Sequence, residues 1–298
     1  MNYELIIVRY GEIGLKAKAT RRRFESTLVS NIKKALEIEK LSNEIKLMRG
    51  RIFVYTKEIK KSLSILQKIF GITSISPAIK TNSDMDLMKK YAVDISKKQM
   101  KETDSFALRV TREGNHEYTS QDVAVVVGDA VRIATNTKVN LTKPDFTLFI
   151  EIRSNDAYFY TDKIIGVGGL PLGTQGTVLS VIDTDQSILA SWYMMHRGCK
   201  IIYVSENQKL NKKIETFTKK WYAESQIFTI NQDKDFFDNV NKIAFDNKCE
   251  AVITGHNIKN LETIKQFKEQ INYPVLHPLI AMTKEQIQNK CKEIGLLL

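Results

Sequence analysis

From Thr177 onward the chain alternates short apolar runs with helical stretches, and that alternation admits few folds. Apolar runs at 177–182, 199–204, 226–230 and 250–254 are separated by helix-period segments at about 187–197, 210–223 and 235–247. Apolar strands linked by helices imply a parallel sheet buried on both faces, a Rossmann-like doubly wound α/β unit. The first strand lies in TVLSVIDTDQS, Thr177–Ser187, and runs straight into a helix beginning near Gln186. Such junctions bind phosphate, because free N–H groups and the positive end of the helix dipole face the anion. That use needs glycines, which let the backbone approach the phosphate and adopt positive φ. Here the turn is Asp183-Thr184-Asp185, with no glycine and two carboxylates. Asp183, Thr184 and Ser187 are residue types that cap helix N-termini, so capping is their expected structural role.

Upstream the order of elements is different. Residues 3–9 read as a strand and 20–38 as a basic amphipathic helix. Two strands follow across 44–56, around Arg49-Gly50-Arg51, and then a helix at 60–69. This is a small α+β domain, 1–78, with the strand 72–79 and its Pro77 expected as the exit linker. A second α+β region, 79–165, carries a helix at 84–99 and a strand at 105–110. Thr119-Ser120-Gln121-Asp122 then supplies a helix start for 122–135, and two strands, 146–153 and 156–161, flank a turn at Asn155-Asp156. The glycine-rich stretch GVGGLPLGTQG, 166–176, is a connector, and 177–298 forms the last domain. Few contacts cross such linkers, so residues 1–166 are expected to fold alone.

Charge separates these regions. The chain carries a net +11, but residues 1–75 hold 16 Lys/Arg against 7 Asp/Glu, and residues 76–175 hold 13 of each. The positive field belongs to the N-terminal quarter and is the footprint of a polyanion-binding protein, most often one that binds nucleic acid. No apolar run reaches membrane-spanning length, and the N-terminus has no signal-peptide layout, so a cytoplasmic location with no membrane partner is expected. Cys199, Cys249 and Cys291 lie far apart and are read as buried reduced thiols. With the scattered histidines they give no metal-ligand constellation.

Four separated stretches, in order, resemble the tRNA 4-thiouridine synthetase (tRNA sulfurtransferase) family. RYGEIGLKAKATRRRFE, 9–25, is similar to that family's ferredoxin-like N-terminal domain. FALRVTREG, TSQDVAVVVGDAV and KVNLTKPDFTLFIEIRSNDAYFYTDKI, within 106–164, resemble a THUMP RNA-binding domain. GGLPLGTQGTVLSVI, 168–182, matches the entry to a pyrophosphatase-loop domain. VITGHNIKNLETI, 252–264, and HPLIAMTKEQIQNKCKEIG, 277–295, add a weaker match. The family's loop runs serine-glycine-glycine-x-aspartate-serine; here Asp183-Thr184-Asp185-Gln186-Ser187 stands in its place, and only the final serine clearly survives. The segment after Thr254-Gly255 reads as shortened. The family's persulfide-reactive cysteine is placed beyond Leu298, and Cys291, inside a predicted helix, does not replace it.

The resemblance implies tRNA, or another structured RNA, as partner. The basic residues Lys16, Lys18, Arg21, Arg22 and Arg23 oppose the dipole of the helix that they begin, a cost understandable if they meet phosphate. Arg109 and Arg112 extend that surface onto the THUMP-like stretch, where Glu113, Glu117 and Asp122 are available to pair them. Tyr10, Tyr118 and Tyr158 are candidates for base stacking. Gly168, Gly169, Pro171, Gly173 and Thr174 are expected beside the nucleotide pocket or as a plain linker. The reading is an RNA-binding relative with a degenerate pyrophosphatase-loop motif, no catalytic residue and no cofactor. Two alternatives stand beside it: a working sulfurtransferase, using ATP and Mg with an altered loop and a partner's cysteine, and a scaffold subunit of an RNA-modification complex.

Overall fold

A computed structural model describes residues 3–231 and 233–296. The N-terminal elements run β1 (Leu5–Tyr10), α1 (Lys18–Ile38), β2 (Glu44–Met48), β3 (Arg51–Tyr55), α2 (Ile59–Leu66) and β4 (Ile72–Asn82). Strand order β2-β3-β1-β4 makes this the βαββαβ arrangement of ferredoxin-like folds. The next elements are α3 (Met85–Gln99), β5 (Ser105–Glu113), α4 (Ser120–Thr135), β6 (Lys138–Val139), β7 (Phe146–Arg153), β8 (Asp156–Tyr160) and β9 (Ile164–Ile165). Their strands continue the same sheet as β4-β8-β7-β5-β6, with β9 on β4. The expected exit linker at 72–79 is thus an eleven-residue interior strand. Pro77, which has no N–H to donate, falls between the stretch paired with β9 (Ser74, Ile75) and the stretch paired with β8 (Ile79–Asn82).

The chain divides into two compact units. The first comprises the chain up to Arg9, Lys40–Ser64 and Ser74–Ile165. In it, β7 and β8 show strict alternation. Leu148, Ile150, Ile152, Ala157 and Phe159 pack under α3 and α4, while Tyr158 and Tyr160 join Leu5, Ile7 and Phe53 on the other face. The helix starts follow local chemistry. Asp84 caps α3 by accepting from the Asp86 and Leu87 amides, and Thr119 and Asp122 form the reciprocal capping box of α4. The turn before β8 is centred one residue earlier than expected, on Ser154-Asn155, with Ser154 at φ 50°.

The second unit comprises Tyr10–Glu39, Ile65–Thr73 and the chain from Gly166. Its elements after the connector are β10 (Thr177–Ile182), α5 (Asp185–His196), β11 (Lys200–Ser205), α6 (Gln208–Lys220), β12 (Gln226–Thr229), α7 (Phe236–Asp246), β13 (Ala251–Ile253), α8 (Leu261–Gln270), β14 (Val275–Leu276) and α9 (Lys284–Ile294). The strands are all parallel, in order β12-β11-β10-β13-β14. Val178 and Ile182 of β10 face the cluster formed with α5, α6 and α9. Leu179 and Val181 face the cluster formed with α7 and α8. The sheet is therefore covered on both faces, which is why its strands read as unbroken apolar runs. All three cysteines are buried free thiols, and no described helix is long and apolar enough to cross a membrane.

Candidate functional site

The chain grows in one direction from β10 to β12 and in the other from β10 to β13, so a crevice opens at the carboxyl ends of β10 and β13, the topological switch point where α/β sheets bind ligands. The crevice holds about 750 Å³ and is lined by Asp183, Thr184, Gln186, Gly255, His256, Asn257, Lys259 and Lys284, among others.

At its floor the junction after Ile182 is rebuilt around a carboxylate. Asp183 Oδ1 accepts from the Ser187 hydroxyl at 2.5 Å, and Oδ2 lies 2.9 Å from His256 Nε2. Since a carboxylate only accepts, His256 Nε2 carries the proton, and Nδ1, which is buried, has no hydrogen-bond partner among the described residues. Burial pushes the Asp183 carboxyl up, but hydrogen bonds from His256 and Ser187 outweigh it and hold the group below the usual carboxylate range. The capping expectation is corrected here. Thr184 occupies the N-cap position of α5, yet its side chain makes no bond to the helix backbone, and the Ser187 hydroxyl donates to Asp183 rather than capping the helix. Asp185 turns to Lys213, whose Nζ donates to both carboxylate oxygens at 2.7 and 2.6 Å. Gln186 lines the crevice.

Gly255 makes this assembly sterically possible. A Cβ there would lie 2.4 Å from Ser187 Oγ and 2.6 Å from Ser187 Cα and N, so only glycine lets the exit of β13 pass the start of α5. Thr254 Oγ1 and His277 Nδ1 are 2.7 Å apart. Burial lowers the His277 pKa, and the neighbouring His256 lowers it further. His256 and His277 were not singled out by sequence reasoning, and Gly255 served there only to mark where a segment is shortened. The available signal was the Thr-Gly-His triplet at the end of an apolar run.

The connector is placed away from this crevice. Gly168, Gly169 and Gly173 take positive φ of 75°, 74° and 90°. The Leu170 amide bonds the His196 carbonyl, the amides of Gly173 and Thr174 bond the Gly198 carbonyl, and the Thr174 hydroxyl bonds the Pro171 carbonyl at 2.8 Å. These contacts lie at the C-terminal end of α5, a helix of 12 residues and hence about 18 Å long. Its other end bears Asp183. The connector is thus a tight brace at the opposite end of α5, on the same face of the sheet as that helix, and does not line the crevice.

The basic residues of the N-terminal quarter are largely exposed. Lys16, Lys18, Arg22 and Arg23 face solvent. Arg23 lies over the Phe24 ring at 5.1 Å, and Arg21 is half-buried with Nε 3.9 Å from Glu25. Arg109 and Arg112 are exposed too, but strand alternation puts residues three apart on opposite faces of β5. The expected carboxylate partners are engaged elsewhere: Glu113 with Arg153 and Arg49, and Asp122 in the capping box. Arg109 donates to the Leu141 carbonyl and Arg112 to the Gly114 carbonyl. The tyrosines are built in. Tyr10 bonds Glu25, Tyr158 stacks on Phe53 at 4.6 Å, and the Tyr118 hydroxyl donates to the Ser83 carbonyl. Tyr10 and Tyr158 are buried and offer no face to a base.

Comparison with known proteins matches this geometry region by region. Residues 5–76 match the family model of the ThiI ferredoxin-like domain, 82–162 that of the THUMP domain, and 211–297 that of the thiamine biosynthesis protein ThiI. A crystal structure of a Pyrococcus horikoshii protein is 31% identical, with a TM-score of 0.84, over 98% of this chain and all of that one. A crystal structure titled as a 4-thiouridine synthetase–RNA complex with bound ATP is 25% identical, also with a TM-score of 0.84, over 99% of this chain and 85% of that one. A Methanocaldococcus jannaschii protein named "Probable tRNA sulfurtransferase" is 33% identical over 97% of this chain and 87% of its own length. Its Methanobrevibacter smithii counterpart, of the same name, is 31% identical over 99% of this chain and 87% of its own length. That alignment spans 337 positions against 298 residues here, so the relative carries internal segments that this chain lacks. On these identities, sustained along nearly the whole sequence and through the same order of domains, the chain belongs to the tRNA sulfurtransferase family.

Proposed function

We propose that this chain binds tRNA through its ferredoxin-like and THUMP regions, and that its strand-to-helix junction does not take ATP. The observation that carries the reading is the Asp183 carboxylate, fixed by Ser187 and His256 where an anion would meet the start of α5. A phosphate charge about 4 Å from a carboxylate is opposed by roughly 1–4 kcal/mol at effective dielectrics of 80 to 20. The turn also has no glycine to build an N–H cradle. Lys213 offsets Asp185, whereas Asp183 is held by a hydroxyl and an imidazole. RNA binding is supported by the THUMP match, by the exposed cations of 16–23, and by the relative whose structure is an RNA complex.

That same relative holds ATP, which keeps a second reading in view: an ATP-dependent sulfurtransferase with a partner-supplied cysteine. Calorimetry separates the two. The expected result is tRNA binding that weakens steeply with salt, and no ATP binding in the micromolar range with or without Mg²⁺. A micromolar ATP dissociation constant would overturn the first reading in favour of the second.

A further inference from the structure

The nine-stranded sheet of the first unit is bent so far that β3 and β7, separated in the sheet by β1, β4 and β8, meet across its concave face. Three arginines converge there on one buried carboxylate. Arg51 Nε lies 2.9 Å, and Arg153 Nε 2.7 Å, from Glu151 Oε1, and Arg9 Nη2 lies 3.6 Å from Oε2. The Glu151 side chain is 3% exposed. Glu113, shared by Arg153 and Arg49, is the second carboxylate. Four arginines thus stand against two acids, before a fifth cation is added.

That cation is Lys163. Its ammonium sits 4.2 Å from the centroid of the Phe149 ring. The ring stacks on Tyr160 at 5.0 Å, and Arg9 in turn lies over Tyr160 at 4.7 Å. Among the described residues no carboxylate is within ion-pair distance of Lys163, and the side chain is exposed. Asp162, its neighbour in sequence, accepts instead from Thr161. Arg109 stands opposite Phe149 on the adjacent strand, which sets one of the exposed arginines beside this group. Burial lowers the pKa of Lys163, and Arg9 lowers it further against the opposing pull of Glu151; burial likewise lowers that of Arg51, where Glu151 raises it and Arg153 and Arg9 lower it. Folding has therefore crowded cations at the open end of this face beyond what its own acids balance. Such an excess is stabilised by an anion from outside, and the Phe149 ring holds an exposed ammonium beside it.

We propose that this end of the concave sheet face is an RNA-backbone phosphate site, with Lys163 as the contacting group and Arg9, Arg51 and Arg153 as the charge behind it. The proposal rests on the RNA-binding reading above and adds a site to it. It is distinct from the 16–23 cluster.

The test uses the full chain and a tRNA transcript, with affinity measured over a salt series. The variants are Lys163→Glu, Lys163→Met, which keeps an aliphatic stem over Phe149, and Lys97→Glu, an exposed lysine on α3, with circular dichroism to confirm folding. The expected result is that Lys163→Glu weakens binding about fivefold or more, and that both Lys163 variants flatten the slope of log affinity against log salt by roughly 0.7–0.9. Lys97→Glu is expected to change neither. Wild-type slope and affinity within about twofold in a folded Lys163→Glu chain would overturn the proposal, as would an equal loss in Lys97→Glu. Failure of the unsubstituted chain to bind tRNA is a different outcome. It overturns the RNA-binding reading, and this site falls with it.

Discussion

Asp183 shows how far a residue can be read before its partners are known. Its position at a glycine-free strand-to-helix turn is plain in the sequence, and so is the chemical conflict with phosphate. Its actual role depends on His256, 73 residues away, and no local pattern announces that pairing. The hydrogen bonds from Ser187 and His256 fall on different oxygens of Asp183 and need both to accept, and an amide supplies only one acceptor. Asp183→Asn is therefore expected to cost about 1–3 kcal/mol near neutral pH by stranding a buried donor. The sign with pH follows from the lowered carboxyl pKa. The carboxylate's contribution is fully present above the ordinary carboxylate range and is lost as pH falls through the depressed folded value. The gap between wild type and Asp183→Asn should thus be widest at pH 6–7 and narrow toward pH 3. Melting temperatures of both chains across that range check this, and a gap independent of pH would show that Asp183 is not held as a carboxylate.

At the scale of elements the sequence was most legible where burial dictates the pattern. The four parallel strands β10 to β13 were visible because both faces are covered, leaving no polar alternation to confuse them. The start of α4 was visible because Thr119 and Asp122 cap it with local chemistry. Three features were misread, each because a long-range contact decides it. Strand β4 continues past Pro77 because, on the edge away from β1, it pairs with β9 before the proline and with β8 after it. The glycine connector reads as a linker, yet Gly169 is pressed against the end of α5, where a Cβ would meet the His196 carbonyl at 2.1 Å. The short strands β6, β9 and β14, of two residues each, carry too few side chains to show a period. Gly255 is the sharpest test of packing at this scale. Gly255→Ala drives a methyl into the backbone of Ser187, at 2.6 Å, and should cost about 1–3 kcal/mol through displacement of α5 from β13. Gly14→Ala, where nothing lies within 4 Å, should be close to neutral. Chemical denaturation of the two variants compares them directly, and equal midpoints would refute the tight approach.

For the whole molecule the decisive correction concerns where the chain can be cut. Charge and the glycine connector suggested that residues 1–166 fold alone, with the basic quarter as an independent RNA-binding piece. The packing says otherwise, because Tyr10–Glu39 and Ile65–Thr73 group with the region after Gly166. Arg197 reaches Glu12 at 3.1 Å, the Tyr222 hydroxyl donates to Glu39 at 3.1 Å, and Lys34 pairs with Glu224. Asn31 donates to the Leu172 carbonyl at 3.1 Å. Exposed ion pairs of this kind contribute little singly. The apolar part is larger: Phe70 stacks on Trp221 at 5.5 Å and meets Trp192 edge-on at 6.0 Å, within the buried cluster of α5, α6 and α9. A chain ending at Ile165 would leave that ring in water, at a cost of about 1.5–3 kcal/mol, and would remove the partners of Asn31 and Lys34 on α1 and of Glu12 and Glu39 beside it. The truncated chain is therefore expected to show less helix by circular dichroism than α1 to α4 would give if intact, and a broad urea transition in place of a cooperative one. A sharp transition with full helical signal would establish that the N-terminal part folds independently after all. Because truncation perturbs α1, the part played by its basic cluster is better tested in the full chain. Arg21→Ala, Arg22→Ala and Arg23→Ala together should weaken tRNA binding and flatten its salt slope by roughly 0.7–0.9 for each phosphate that is no longer neutralised. An unchanged slope in the folded triple variant would move the RNA surface off α1.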